Sequence, residues 1–132
     1  MGARLPMNAL SSQVAVNLSG AAETILATLG PISTSLDNQP ILLFAYASIG
    51  ISGGGGTALT LRIRRGPLVT SPSVNLGASQ LIAAGQAGSV TLCYVDLIPG
   101  SQANLLYTLT GLVTGGVGTS VVNDLSLIAM CM

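Results

Sequence analysis

Charge is what this sequence has least of. Charged residues make up 6% of the chain, whereas roughly a quarter is usual in soluble domains. Lysine, histidine and tryptophan are absent, and the formal net charge is zero. The charged side chains are Arg4, Glu23, Asp37, Arg62, Arg64, Arg65, Asp96 and Asp124. A neutral chain has no evident long-range attraction for nucleic acid or for an anionic membrane surface, so the sequence predicts neither as a partner.

The missing histidine argues against catalysis. General acid–base chemistry near neutral pH usually needs histidine or two carboxylates held together, and the carboxylates here are far apart in the sequence. Asp37, Asp96 and Asp124 stand near turns or strand ends, which accounts for them without a catalytic role. The sequence therefore predicts a protein that is not an enzyme and holds no cofactor.

The two cysteines, Cys93 and Cys131, lie in apolar, strand-like segments. Because the chain has no histidine, neither thiol has an imidazole base to activate it as a nucleophile, and two cysteines alone cannot complete a structural zinc site. We expect both to be small buried hydrophobic residues, with a disulfide between them as the alternative.

A long hydrophobic run is also missing. The longest nearly apolar segment is Ile41–Ile51, which is shorter than the roughly 20 residues that a membrane-spanning helix requires. Polar residues interrupt the first twenty positions, so we expect neither a membrane span nor a secretion signal.

What the sequence does have is short segments rich in Val, Ile, Leu and Thr, separated by Gly, Pro, Ser and Asn. This pattern is typical of an all-β domain. Leu59, Leu61 and Ile63 alternate with polar or small residues, which predicts a strand with one buried face. We expect two packed antiparallel sheets. The predicted strands are 13–18, 23–32, 41–51, 58–65, 89–97, 104–114 and 120–131, with weaker ones near 74–76 and 80–83.

The closing segment is apolar on both faces. Leu125, Leu127 and Ala129 alternate with Ile128 and Met130, so we expect both faces of this strand to be covered. With 49% hydrophobic residues and almost no charge, a lone chain would expose much apolar surface. Such a surface is most simply covered by other subunits.

Residues 1–12 lack a strand pattern, so the sequence predicts a short extended N-terminal arm at 1–12 and a single β-sandwich domain at 13–132. Such an arm either reaches onto a neighbouring subunit or is a frayed terminus. On the first alternative, the arm residues Arg4, Leu5, Pro6 and Met7 are candidate contacts with a capsid or another subunit.

Arg62, Arg64 and Arg65 form the only concentrated charge in the sequence. They are candidates for a polar contact with acidic groups of an adjoining subunit. The alternative is a solvated edge strand that its charges protect from further pairing.

The C-terminal half carries a recognisable order of motifs. Gly88–Asp96 reads GSVTLCYVD and is followed by Pro99-Gly100, then by the Tyr-Thr-Leu-Thr strand at 107–110, and finally by the closing segment 122–130, VNDLSLIAM. Over roughly residues 41–132 this layout resembles compact jelly-roll domains of the tumour-necrosis-factor/C1q type found in phage virion proteins. The sequence departs from that pattern where Met130 and Cys131 replace the usual acidic residue. Spore-surface glycoprotein heads of the same general fold are similar in composition.

This resemblance implies an antiparallel jelly-roll β-sandwich that forms a homotrimer and serves in a bacteriophage virion. The implied role is a capsid decoration (cement) or head-fibre subunit on the capsid surface, with copies of itself and the major capsid protein as partners. Two alternatives stay open: a receptor-binding tip of a tail fibre, and a self-assembling surface or spore-appendage subunit.

Overall fold

The computed structural model describes residues 7–12, 16–18, 22–34, 39–52, 57–74, 78–82, 87–98, 100, 102–114 and 119–131. Regular structure in these ranges consists of β-strands. In chain order they are β1 (Met7–Ser12), β2 (Val16–Leu18), β3 (Thr24–Thr34), β4 (Gln39–Ser52), β5 (Thr57–Arg65), β6 (Ala78–Ile82), β7 (Ala87–Ile98), β8 (Gln102–Thr114) and β9 (Thr119–Cys131). Over these same ranges, the chain has no helix with the length and hydropathy needed to cross a membrane.

The strands form two antiparallel sheets with nested pairing. Sheet A has the order β1-β9-β4-β7, with β2 also paired to β9, and sheet B has the order β3-β8-β5-β6. Because β1 and β2 pair with successive parts of β9, they act as one interrupted first strand. The first strand then pairs with the last, β3 with β8, β4 with β7, and β5 with β6. This nesting is the topology of a jelly roll, so the predicted fold class is confirmed.

The core lies between the sheets and follows the alternation of each strand. Leu59, Leu61 and Ile63 of β5 are fully buried, as their spacing predicts. Leu125, Leu127 and Ala129 of β9 also point inward and are buried. The remaining inward residues complete the core: Ala27, Leu29, Ile32, Ile41, Leu43, Ala45, Ala47, Ile49, Val90, Ile98, Leu105, Tyr107, Leu109, Val122 and Cys131.

The strand β1 was not predicted from the sequence. Met7–Ser12, assigned above to an extended arm, pairs along its whole length with β9, from Met7 opposite Met130 to Ser12 opposite Leu125. Its sequence, MNALSS, has no β-branched residue, so its local preference for a strand is weak and the pairing partner decides its structure. Residues 1–6 of the predicted arm lie outside the described part of the chain.

Gly30, in β3, is at a position that only glycine fits well. Its φ is 128°, in a region that side chains disfavour, and an added Cβ would lie 2.6 Å from the carbonyl oxygen of Leu105 on the neighbouring strand. Gly100 also has a positive φ, of 67°, but an added Cβ there meets nothing within 4 Å. Comparing substitutions at the two positions therefore distinguishes the cost of backbone strain from the cost of a steric clash.

We expect Gly30→Ala to destabilise the fold by about 2–4 kcal/mol, because strain and a clash with backbone add. Gly100→Ala, which has the strain alone, should cost about 1 kcal/mol. Equilibrium unfolding in urea at matched protein concentration measures both. Equal costs for the two variants would contradict the clash at Gly30.

Candidate functional site

The arginine-bearing strand β5 presents two of its guanidinium groups on the outer face of sheet B. Glu23, which immediately precedes β3, lies across this face and accepts two hydrogen bonds from Arg64: from Nε to Oε1 at 3.1 Å and from Nη2 to Oε2 at 2.6 Å. Arg62 Nη1 lies 3.7 Å from Glu23 Oε1. Arg64 Nη1 also donates to the carbonyl oxygen of Ser71 at 2.7 Å. The carboxylate of Glu23 is therefore an ion-pair partner, within the same chain, for both outward arginines of β5.

The same carboxylate covers the polar centre of sheet B. Thr110 of β8 donates its hydroxyl hydrogen to Glu23 Oε1, and Thr108 donates to the carbonyl oxygen of Gly66 at 2.6 Å. Both threonines are fully buried, although their side chains point away from the core. Bonded in this way, the two hydroxyl groups avoid the cost of an unpaired buried polar group.

The pKa of Glu23 reports this environment. Burial by itself raises the pKa of the carboxyl group, but the hydrogen bonds from Arg64 and Thr110 and the positive charges of Arg64 and Arg62 lower it. The net result is a pKa below the ordinary value of 4.5. Glu23 therefore stays ionised at neutral pH and stabilises the folded state in that form.

Arg65, the last residue of β5, has the opposite orientation and pairs with a carboxylate on the other sheet. Its Nε donates to Oδ2 of Asp96 on β7 at 2.9 Å, and its Nη2 donates to Oδ1. The hydroxyl of Tyr107, on β8, donates to the same Oδ2 at 2.7 Å. Asp96 is 5% exposed and Tyr107 is fully buried. Three side chains thus connect the two sheets through one buried carboxylate.

The hydrogen bonds of Asp96 shift the pKa of both its partners. Burial raises the pKa of Tyr107 far above its ordinary value, and the hydrogen bond to Asp96 raises it further. The hydrogen bond to Asp96 also raises the pKa of Arg65. Both donors therefore keep their protons throughout the physiological range.

Each of the predicted contact residues that the structure describes has a definite place. Arg62, Arg64 and Arg65 form ion pairs inside the chain, so their proposed contact with another subunit stays a prediction. Met7 lies in β1, opposite Met130. Arg4, Leu5 and Pro6 lie outside the described residues.

Sequence reasoning missed the roles of Glu23, Asp96 and Tyr107. Asp96 was attributed to a nearby turn, but it is a buried ion-pair partner. Strand alternation could have identified Asp96 and Tyr107, because it places Arg65 on the same inward side as the core residues of β5 and Tyr107 on the inward side of β8. Two inward polar side chains need a buried partner. Glu23 had no such signal, since its contacts are 41 and 87 residues away in sequence.

The chemistry for a metal site is not present in the part of the chain that the structure describes, where no three Asp, Glu, Cys or His side chains lie close enough together to hold an ion. Both cysteines are free. Cys131 is buried, and its burial raises the pKa of its thiol. Cys93 is exposed, which corrects the expectation that both would be buried: on the edge strand β7 its position points outward.

The outer face of sheet A differs from that of sheet B in having exposed apolar side chains on a central strand. Phe44 and Tyr46 of β4 and Val95 and Leu97 of β7 are all exposed. On β9, Ile128 and Met130 are half-buried, so the outer side of the closing strand is only partly covered within one chain. These apolar side chains are suited to contact with another apolar surface.

Neither a protein-family model nor a curated protein matches this chain. Among solved structures, it is similar to a chain in the structure of the infectious bursal disease virus Gx strain, with a TM-score of 0.58 and 13% identity over 96% of this chain and 32% of that one. It is also similar to a chain of the T13 particle of that virus, with a TM-score of 0.56 and 12% identity over 97% and 35%. A chain from Bacillus endospore appendages, described as disulfide-linked pili, matches with a TM-score of 0.44 and 15% identity over 100% and 96%, a score too low to support an argument. The protein thus shares a β-sandwich fold with chains of virus particles and spans about a third of their length.

We expect Glu23→Gln to destabilise the fold at pH 7 by about 1–2 kcal/mol, because Arg62, Arg64 and Thr110 lose an ionised partner. The folded-state pKa of Glu23 lies below its unfolded value, so the stabilisation is complete above the unfolded value and is lost as the pH falls through the folded one. The difference between wild type and variant should therefore shrink as the pH falls below 4.5. Urea unfolding from pH 7 to pH 2.5 measures it.

Asp124→Asn is the matched control for Glu23→Gln, because Asp124 is an exposed carboxylate on β9 and its replacement should change stability by less than about 0.5 kcal/mol. A difference between Glu23→Gln and wild type that stays constant with pH would contradict the role given to the ionised Glu23.

We expect Tyr107→Phe to cost about 1–2 kcal/mol, because the buried Asp96 loses a hydrogen-bond donor while the ring is kept. Tyr94→Phe removes the hydroxyl of an exposed tyrosine and should be neutral to within about 0.5 kcal/mol. Urea unfolding of the two variants in parallel tests the contribution of the hydroxyl, and equal stabilities would refute it.

Proposed function

We propose that this chain is a structural subunit of a virion that works by packing against copies of itself and neighbouring capsid subunits, without catalysis. The observation that carries the proposal is how the chain uses its few charges. Glu23, Arg62, Arg64, Arg65 and Asp96 are all engaged in ion pairs within the fold. These side chains stabilise the sandwich, and the outer face of sheet A is left apolar.

A surface of this kind favours assembly over an independent monomer. Net charge away from zero keeps small proteins apart in solution, and this chain has a net charge of zero. Of the charged side chains that the structure describes, all but Asp124 are committed to internal partners, so they contribute little repulsion between molecules. Association that covers the apolar face would remove it from water at a gain of roughly 25 cal/mol per Å².

The virion assignment is supported by the likeness of the fold to chains of virus particles. Since the matched region is about a third of those chains, the role we propose is that of the sandwich itself, a building block of a shell. We further propose that it serves as a decoration or head-fibre subunit on a bacteriophage capsid, as the sequence resemblance implies. Covering the boundaries between capsid subunits would raise the work needed to separate them.

The proposed contacts with the capsid are Arg4, Leu5, Pro6 and Met7, together with the arginines of β5. Because Met7–Ser12 forms β1, a truncation that removes residues 1–12 would also remove a strand from sheet A. Anchoring and folding are separated only by a shorter deletion that leaves β1 intact. The homotrimer implied by the resemblance is likewise part of this proposal.

Self-association is the first testable consequence. We expect sedimentation velocity at protein concentrations of about 1–200 μM to show an oligomer of defined size. The fraction of chains in this oligomer should rise with concentration, because association follows mass action. The stoichiometry of the smallest stable species tests the homotrimer. A chain that stays monomeric throughout this range would contradict the proposed function.

The location is tested by quantitative mass spectrometry of virions purified from the strain that encodes the chain. We expect many copies per particle, in fixed proportion to the major capsid protein. Its absence from intact, gradient-purified particles would overturn the virion assignment while leaving self-association to stand or fall on its own measurement.

A further inference from the structure

Outward side chains of β4, β7 and β9 form an apolar surface over one part of sheet A, which we call the apolar face; beyond Tyr46, the next outward row along β4 is polar. Phe44 lies at its centre, opposite Cys93 of β7 on one side and Ile128 of β9 on the other. Leu42 lies in the next outward row, between Val95 and Met130. Tyr46 extends the face along β4, between Thr91 and Ser126.

The apolar face is large enough to matter energetically. Phe44 is 38% exposed, Tyr46 37%, Val95 44% and Leu97 56%. Together with the half-buried Leu42, Ile128 and Met130, these fractions leave on the order of 400 Å² of contiguous apolar surface, at the level where patches on a monomer commonly mark a contact site.

The outer face of sheet B differs at its centre. There the chain's own polar groups cover the sheet, with Glu23 bonded to Arg64 and Thr110, and the exposed apolar side chains Ile25 and Leu81 lie on the edge strands β3 and β6. The central strand β8 is buried there on both sides. On sheet A the central strands β4 and β9 are buried on their inner side, while Phe44 and Tyr46 remain exposed on the outer side.

Charge determines which partner this surface suits. In the described part of the apolar face, the charged residue is Asp124, opposite Ser48 at one end of the face. Leu42 and Phe44, further along β4, lie among apolar residues. Around Phe44 a charged group of a partner would find no opposite charge, and burying it there would be costly. A second copy presents the same uncharged surface.

We propose that the apolar face packs against the same face of a second copy, related by a two-fold axis that passes near Phe44 and runs across the strands. In that arrangement the two Asp124 side chains lie at opposite ends, so no like charges meet. The partner offers a sheet of matching width, and two sheet faces pack well at a spacing of about 10 Å.

The size of the contact fits a role within a larger assembly. Two such faces would bury roughly 800–1,000 Å² in total, below the standard size of a stable isolated dimer. A single pair is therefore weak, and repetition of the contact in a shell strengthens it. This inference rests on the proposed function, because it names the surface and the partner through which the subunit assembles.

The chain contains its own probe of this contact. Cys93 is exposed beside Phe44 on the apolar face, whereas Cys131 is buried in the core with a raised thiol pKa. A maleimide should therefore label Cys93 in the dissociated chain and leave Cys131 unlabelled while the fold is intact. Labelling of Cys131 reports unfolding in the same experiment.

We expect the labelling rate of Cys93 to fall at least about tenfold between dilute and associated wild-type protein, because packed sheet faces exclude the reagent. A bismaleimide with a reach of about 15 Å should join Cys93 to Cys93 of the second copy, since stacked sheets lie about 10 Å apart. Phe44→Arg should weaken association at least about tenfold, because it places two positive charges near the axis.

Two further variants guard against misreading a folding defect. Val95→Arg lies on the same face at the edge strand and should act in the same direction as Phe44→Arg. Leu81→Arg replaces a side chain that is 71% exposed on sheet B and should leave association unchanged. In all three variants Cys131 must stay unlabelled, which verifies that the sandwich is intact.

The outcomes separate this inference from the proposed function. A wild-type chain that associates with Cys93 still reactive, or that is unaffected by Phe44→Arg, overturns the apolar face as the contact and leaves the structural role standing. Protection of Cys93 only after a different virion protein is added also overturns a second copy as the partner. A chain that never associates contradicts both.

Discussion

Strand alternation is the constraint on which the rest of this structure depends. Each strand sends successive side chains to opposite sides of its sheet, and the jelly roll gives each sheet one inner and one outer face. Leu59, Leu61 and Ile63 fill the inner face of β5, while Arg62 and Arg64 point outward. In a chain with so few charged residues, the outer positions of most strands must be polar without charge, or apolar. Which strands carry the charged residues therefore determines how polar each outer face of the sandwich is.

The ion pairs show where those charges were needed. Asp96 is on the inner side of β7, where an unpaired carboxylate would be costly, and Arg65 and Tyr107 of the facing sheet supply its donors. Removing either donor would leave this buried carboxylate without a partner that it needs, and that loss is costly. Arg65 and Tyr107 therefore hold β5 and β8 against β7 at this point. Glu23 does the same on the outer side of sheet B, where it ties the segment before β3 to β5 and β8.

Prediction from the sequence succeeded where periodicity alone decides the structure. The inward residues of β5, β8 and β9 follow from alternation, and the order of turns implied two antiparallel sheets. It failed where a distant partner decides. Met7–Ser12 becomes a strand because β9 offers a pairing edge, and Glu23 becomes a key side chain because of residues 41 and 87 positions away. The exposure of Cys93 was missed for a related reason: it depends on β7 being an edge strand of sheet A with an uncovered outer side.

Assembly through an apolar face has a physical consequence for specificity. Charged interfaces select partners by steering and by penalising like charges, but Phe44 and its neighbours can do neither. Selection must come from shape, from the match between two twisted sheets and from the boundary of the patch. That boundary is defined at one end by Asp124, beside Ser48, which disfavours any register that would bury its carboxylate. A single charge at the rim thus limits how the face can dock, while the scarcity of charge elsewhere makes the docking favourable.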